Sequence, residues 1–137
     1  MSKLSIALAV ALASPGAAHA ATLTPAQIAQ RHIEFAQKGD VDAIMGDFAD
    51  DAVNFTAGKA VQGKNAIRGI FAGMANRKPG EPSPVANMKI GKVWEEGEVG
   101  FVTWTMGPVN GTEEFLVRNG KILIQAVFIS APPPAAK

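Results

Sequence analysis

His32 lies in the middle of an apolar stripe, Ile28, Ala29, Ile33, Phe35 and Ala36, that recurs at helical spacing, where an ordinary surface histidine would not sit. Such a ring is either a core histidine with one hydrogen-bond partner or a pocket group suited to proton transfer. Burial alone would lower its pKa, and an ionised carboxylate beside it would raise it. Asn54 and Thr56 alternate with Val53 and Phe55, so that segment has one polar and one apolar face. The polar face either meets water or offers hydrogen bonds that orient a ligand. Val102, Trp104 and Met106 share one side of a later segment and Trp94 precedes them, a spacing that fits core, dimer interface or, for Trp104, a cavity wall. Glu95, Glu96 and Glu98 surround Gly97 and serve solubility, and Asp50-Asp51 ends a helix.

Other chemistries are excluded by what is absent. With no Cys there is no disulfide framework, thiolate nucleophile or Cys zinc site, and with no Tyr there is no phenolic acid. Gly63-Lys64-Asn65 lacks the glycine spacing of a phosphate loop, and neither Ser83 nor Ser130 sits in a nucleophile elbow. No cofactor motif is visible. A formal charge of +1 provides no basic field for nucleic acid or anionic lipid. At 47% hydrophobic and 18% charged, the 137-residue chain is too apolar for disorder and fits a single domain.

The elements that must position these residues follow a secretory address. Lys3, the apolar run Leu4 to Ala13 and Ala18-His19-Ala20 read as a signal peptide over 1–20, since the run is well short of the ~20 residues that cross a bilayer. Its removal leaves basic and acidic groups in balance and His32 as the only histidine, so any metal would depend on carboxylates. A secreted or periplasmic chain, free of the membrane after cleavage, is expected. Two glycosylation acceptor patterns, at Asn54 and Asn110, are chance matches.

Thr24-Pro25-Ala26-Gln27 opens a first helix that Gly39 closes. Asp40 caps a second, with Val41, Ile44, Met45 and Phe48 on one face. Ala52 to Thr56 reads as a strand, Gly58 to Gly63 as a loop, Asn65 to Met74 as a third helix, and Arg77 to Pro84 as a proline-rich loop. Alternation then marks four strands, Val85–Glu95, Glu98–Met106, Thr112–Val117 and Lys121–Ser130, with Asn119-Gly120 as the last hairpin turn. The class is α+β: three N-terminal helices packed on a strongly curved antiparallel sheet, spanning 21–131, with 132–137 a Pro-rich disordered tail.

Arg31-His32, Lys38-Gly39-Asp40-Val41-Asp42, Phe48-Ala49-Asp50-Asp51-Ala52-Val53 and Gly63-Lys64-Asn65-Ala66-Ile67-Arg68 closely resemble, in order and spacing, the SnoaL-like and ketosteroid isomerase-like branch of the NTF2-like superfamily. Phe115 to Ile122 is similar to that family's final hairpin. The resemblance implies an NTF2-like (cystatin-like) cone with a conical pocket, and a homodimer formed through the outer sheet face. It also implies departures. The isomerase tyrosine position holds His32 and the catalytic base position holds Thr56, so steroid isomerisation by the usual route is disfavoured. The second oxyanion group falls to Glu113 or Glu114, and alternation with Phe115 and Val117 selects Glu113.

The resulting expectation is a secreted domain that binds a small, largely apolar molecule bearing a carbonyl or hydroxyl. His32 would be its proton shuttle and Glu113 its partner, with Asn54, Thr56 and Trp104 binding the ligand. Isomerase, cyclase and dehydratase chemistry all remain open. The alternative is a noncatalytic module in which Phe35, Phe71 or Trp104 fills the pocket and the sheet binds a partner.

Overall fold

A computed structural model describes residues 21–130; the expected signal segment and the tail from Ala131 lie outside the described residues. α1 (Pro25–Lys38) begins as its sequence dictates. The Thr24 hydroxyl accepts the Gln27 backbone N–H while the Gln27 side chain accepts that of Thr24, and Gly39 ends the helix at φ 69°. α2 (Val41–Asp47) is capped by Asp40. It is followed by β1 (Phe48–Thr56), β2 (Lys59–Gln62), α3 (Lys64–Ile70), α4 (Ala72–Ala75), and then β3 (Lys89–Glu96), β4 (Val99–Met106), β5 (Val109–Arg118) and β6 (Lys121–Ser130). None of these helices is long and apolar enough to cross a membrane.

The six strands form one sheet in the order β2-β1-β6-β5-β4-β3. Its hairpins are antiparallel, but β1 runs parallel to β6, so the sheet is mixed rather than the antiparallel one expected. The helices between β1 and β3 carry the chain away, and the C-terminal strand returns to the gap beside β1. Register shifts in β1, β3 and at Leu116/Val117 bend the strands around the helices. Ile28 and Ile33 of α1, Ile44 of α2 and Ile67 of α3 meet Val102, Phe115 and Ile122 on the inner face of the sheet, all almost fully buried. Gly100 permits this closeness, because a Cβ there would overlap the backbone of Pro25.

Four local expectations need correction. Asp50 and Asp51 belong to β1 and not to a helix end; their side chains are exposed, and Lys64 lies 3.7 Å from Asp50. Phe48, expected on the second helix, starts β1. The segment read as the loop Gly58–Gly63 contains β2, an edge strand with no buried residue and hence no apolar alternation to reveal it. The third helix breaks at Phe71 into α3 and α4, between Gly69 and Gly73.

Residues 76–88 form a strap rather than a strand start. Arg77 donates to the carbonyls of Met74 and Glu81 and, at 3.4 Å, to Lys38 at the end of α1. Ser83 Oγ donates to the Ala36 carbonyl at 2.6 Å, and Gln37 Nε2 to that of Met88 at 2.5 Å. At the hairpin tip, Glu95 accepts the Ala26 backbone N–H and Glu98 binds Arg118 through two hydrogen bonds, so these glutamates tie elements together as well as meeting water.

Candidate functional site

Strand alternation places Asn54, Glu113 and Gln125 on the concave side of the sheet, against α1. Asn54 is the direct neighbour of Gln125 across the parallel β1–β6 pair. Glu113 pairs with Val102 and Val127, so the side chains of Trp104 and Gln125 reach it diagonally from β4 and β6. The polar face of β1 is therefore turned inward and its apolar partner Phe55 outward, the reverse of the water-facing alternative.

The buried polar groups form one chain of hydrogen bonds. Thr56 Oγ1 donates to Asn54 Oδ1 at 2.6 Å, Asn54 Nδ2 to Gln125 Oε1 at 2.6 Å, and Gln125 Nε2 to Glu113 Oε2 at 2.7 Å. From the other side, Trp104 Nε1 donates to Glu113 Oε1 at 3.0 Å. Gln125 Nε2 also stands 3.3 Å from His32 Nε2. Since that amide nitrogen can only donate, His32 Nε2 accepts and the neutral ring carries its proton on Nδ1, a buried atom with no partner among the described residues. His32 and Glu113 thus interact through Gln125 and not directly.

Burial decides both ionisations. Desolvation lowers the His32 pKa from 6.5 to about 3, with the Arg31 charge adding to the effect, so the imidazole is neutral in the working range. Desolvation raises that of Glu113 from 4.5 to about 7, against the hydrogen bonds from Gln125 and Trp104, which favour the anion. The rings of Phe48, Phe71 and Phe115 surround His32 at 5.4, 6.1 and 5.1 Å and supply the low-polarity surroundings.

His32, Asn54, Thr56, Glu113 and Gln125 line the polar end of a cavity of about 110 Å³, whose walls include Ile33, Phe71, Met74, Met88 and Val127. Trp104 is not part of this lining; it supports Glu113 from behind. Phe35 is only half buried and has Arg31 over its ring at 5.8 Å, so it does not fill the cavity, while Phe71 forms a wall. A larger depression of about 320 Å³ on the far strands carries Lys89 as its only titratable lining group. The acid–base groups converge in the smaller one. Among the described residues no cluster of three or more His, Cys, Asp or Glu could hold a metal ion. Gln125 was missed by sequence reasoning, although a lone amide in the apolar run Ile122 to Ile129 was its signal.

The sequence profile of the SnoaL-like domain matches residues 29–123, which include most of α1 together with His32, Asn54 and Glu113. The chain belongs to the SnoaL-like domain family. Solved structures agree in fold. An NTF2-like protein of unknown function from Burkholderia xenovorans superposes with a TM-score of 0.61 at 18% identity, covering 80% of this chain and 84% of that one. A candidate polyketide cyclase from Sinorhizobium meliloti gives 0.58 at 20% identity, covering 74% and 93%. A candidate SnoaL-like polyketide cyclase from Shewanella putrefaciens gives 0.59 at 12% identity, covering 75% and 77%. No curated protein sequence matches the chain. At these identities the likeness carries the SnoaL-like fold and leaves the chemistry to the residues of the cavity.

Proposed function

We propose that this SnoaL-like domain binds a small, largely apolar molecule bearing a carbonyl or hydroxyl, and that Glu113 exchanges a proton with it. One observation carries the reading: a buried carboxyl that ionises near neutrality stands at the polar end of a cavity whose other walls are apolar. Those are the properties of a general acid or base working at physiological pH. His32, held neutral, serves as a hydrogen-bonding group beside the ligand, and Asn54, Thr56 and Gln125 fix the position of the carboxyl. The candidate cyclases that share the fold support chemistry of this kind. Secretion, on the strength of the N-terminal address, belongs to the same proposal.

Native mass spectrometry of the protein from its own host tests binding: a small-molecule adduct lost on denaturation is expected, and a bare polypeptide mass counts against it. In D2O, deuterium exchange at the carbon beside the carbonyl of cyclohexanone should be accelerated by the wild type and not by Glu113→Gln. Equal rates would remove the proton-transfer role.

The outer sheet face favours a partner in addition. Phe55, Ile124 and Phe128 are 46%, 37% and 57% exposed, and register places Trp94, Phe101, Glu114, Ala126 and Phe55 in one row across it. A second copy of the chain is the proposed occupant, because a row of apolar side chains that also carries Glu114, with Lys92 over Trp94, offers both apolar area and opposite charges to a two-fold interface. A noncatalytic role remains the competing reading insofar as Phe71 narrows the cavity.

A further inference from the structure

We propose that the cavity selects a small uncharged molecule, no larger than a single substituted ring, that itself donates a proton to Glu113, and that it rejects anions. This inference rests on the reading of the cavity as the ligand site and specifies what that site accepts.

Size is the first constraint. About 110 Å³ is roughly a third of the smallest pockets that hold drug-sized ligands, which begin near 300 Å³. Phe71 from the α3–α4 junction and Met88 at the end of the strap close its far side, and the strap is held to α1 at Lys38, Ala36 and Gln37. A four-ring skeleton therefore requires the strap to leave these bonds.

Charge is the second. Among the described residues no Lys or Arg lines the cavity. Arg31 follows α1 round to its other side, where its guanidinium pairs with Asp47. The groups facing Glu113 are Trp104 from β4, Gln125 from β6 and, through Gln125, His32 from α1. His32 is the only titratable member and is neutral. Above the Glu113 titration a bound anion would thus add a second buried negative charge with no cation to compensate it.

Direction is the third. The hydrogen-bond chain runs one way, from Thr56 through Asn54 and Gln125 to Glu113, and the Trp104 N–H also ends there. The ionised carboxylate concentrates accepting capacity at the polar end. A ligand that brings its own O–H, N–H or acidified C–H completes that end.

Phenol, anisole and benzoate test this in one series, because they share a ring and differ in donor and charge. Phenol, like a tyrosine side chain, remains protonated up to about pH 10. Binding is read from methyl NMR shifts of Ile33 and Val127, which line the cavity. Well above the Glu113 titration, phenol should bind roughly tenfold or more tighter than anisole, as expected for one hydrogen bond to a charged group. Benzoate and a four-ring steroid should leave these signals unmoved. In Glu113→Gln, and in the wild type well below the titration, phenol and anisole should bind alike. Anisole matching phenol at high pH, or benzoate or the steroid binding as well as phenol, overturns the selectivity and leaves the ligand site standing. If none of the four compounds shifts the cavity methyls, the ligand-site reading falls as well.

Discussion

Burial acts on the two titratable groups of the cavity with opposite consequences for pH dependence. The folded protein binds fewer protons at His32 than the unfolded chain between about pH 3 and 6.5, so this residue's contribution raises stability as pH increases through that window. Its span corresponds to at most on the order of 5 kcal/mol. His32→Phe, which cannot charge, should shift the acid limb of urea unfolding midpoints to lower pH; an unchanged limb would contradict a desolvated imidazole. Glu113 works the other way. Its folded pKa lies above the unfolded value, so stability falls as pH rises from 4.5 to about 7, by on the order of 3 kcal/mol relative to Glu113→Gln. Trp104→Phe keeps a ring but removes the N–H donated to Glu113, and a carboxyl-labelled NMR titration should place the Glu113 transition above that of the wild type. Three of these residues were readable from sequence: His32 stood out against an apolar stripe, alternation chose Glu113 from the two candidates that the family resemblance offered, and alternation marked Asn54 as polar without deciding whether it faced water. Their mutual geometry was not readable, because Gln125, which links them, becomes their neighbour only through the parallel pairing of β6 with β1.

The strands act as a frame that converts backbone register into side-chain distance. Trp104 can reach Glu113 because it faces Gly111, where a Cβ would overlap the indole. Gly111→Ala should therefore cost roughly 1–3 kcal/mol in urea unfolding, the usual range for overpacking. Introduced into Trp104→Leu, where the ring is gone, the same Gly111→Ala change should cost less than it does in the wild type. An equal cost in both backgrounds would mean that the glycine serves β5 alone. α1 was legible almost to the residue, since cap, periodicity and terminating glycine all agree. β2 and the start of β1 were not, because exposed edge residues such as Asp50 and Lys59 carry no burial pattern. The break at Phe71 was signalled by Gly69 and Gly73, but the hydrophobic stripe through them argued for continuity.

For the whole molecule, the convex face of the sheet carries the proposed self-association. Phe128→Lys places a charge on that face without touching the cavity lining. Sedimentation equilibrium should show a dimer for the wild type and a monomer for the variant, with unchanged cavity methyl spectra. A monomeric wild type would remove the second copy as the occupant. The α+β class was legible as a whole from the change of period after residue 85, whereas the mixed sheet was not, because hydropathy does not record which non-adjacent strands pair.

That pairing has a kinetic consequence. β6, the last described strand, lies between β1 and β5 and is the strand through which the sheet joins the early hairpin to the later meander. A growing chain can assemble its helices and hairpins, yet it cannot join the two groups of strands until Lys121–Ser130 is available, because the long loop closing β1 to β6 must form for that pairing. The continuous sheet is thereby completed by its most distant pairing, and a variant that weakens the β1–β6 contact should slow folding more than one that weakens either hairpin.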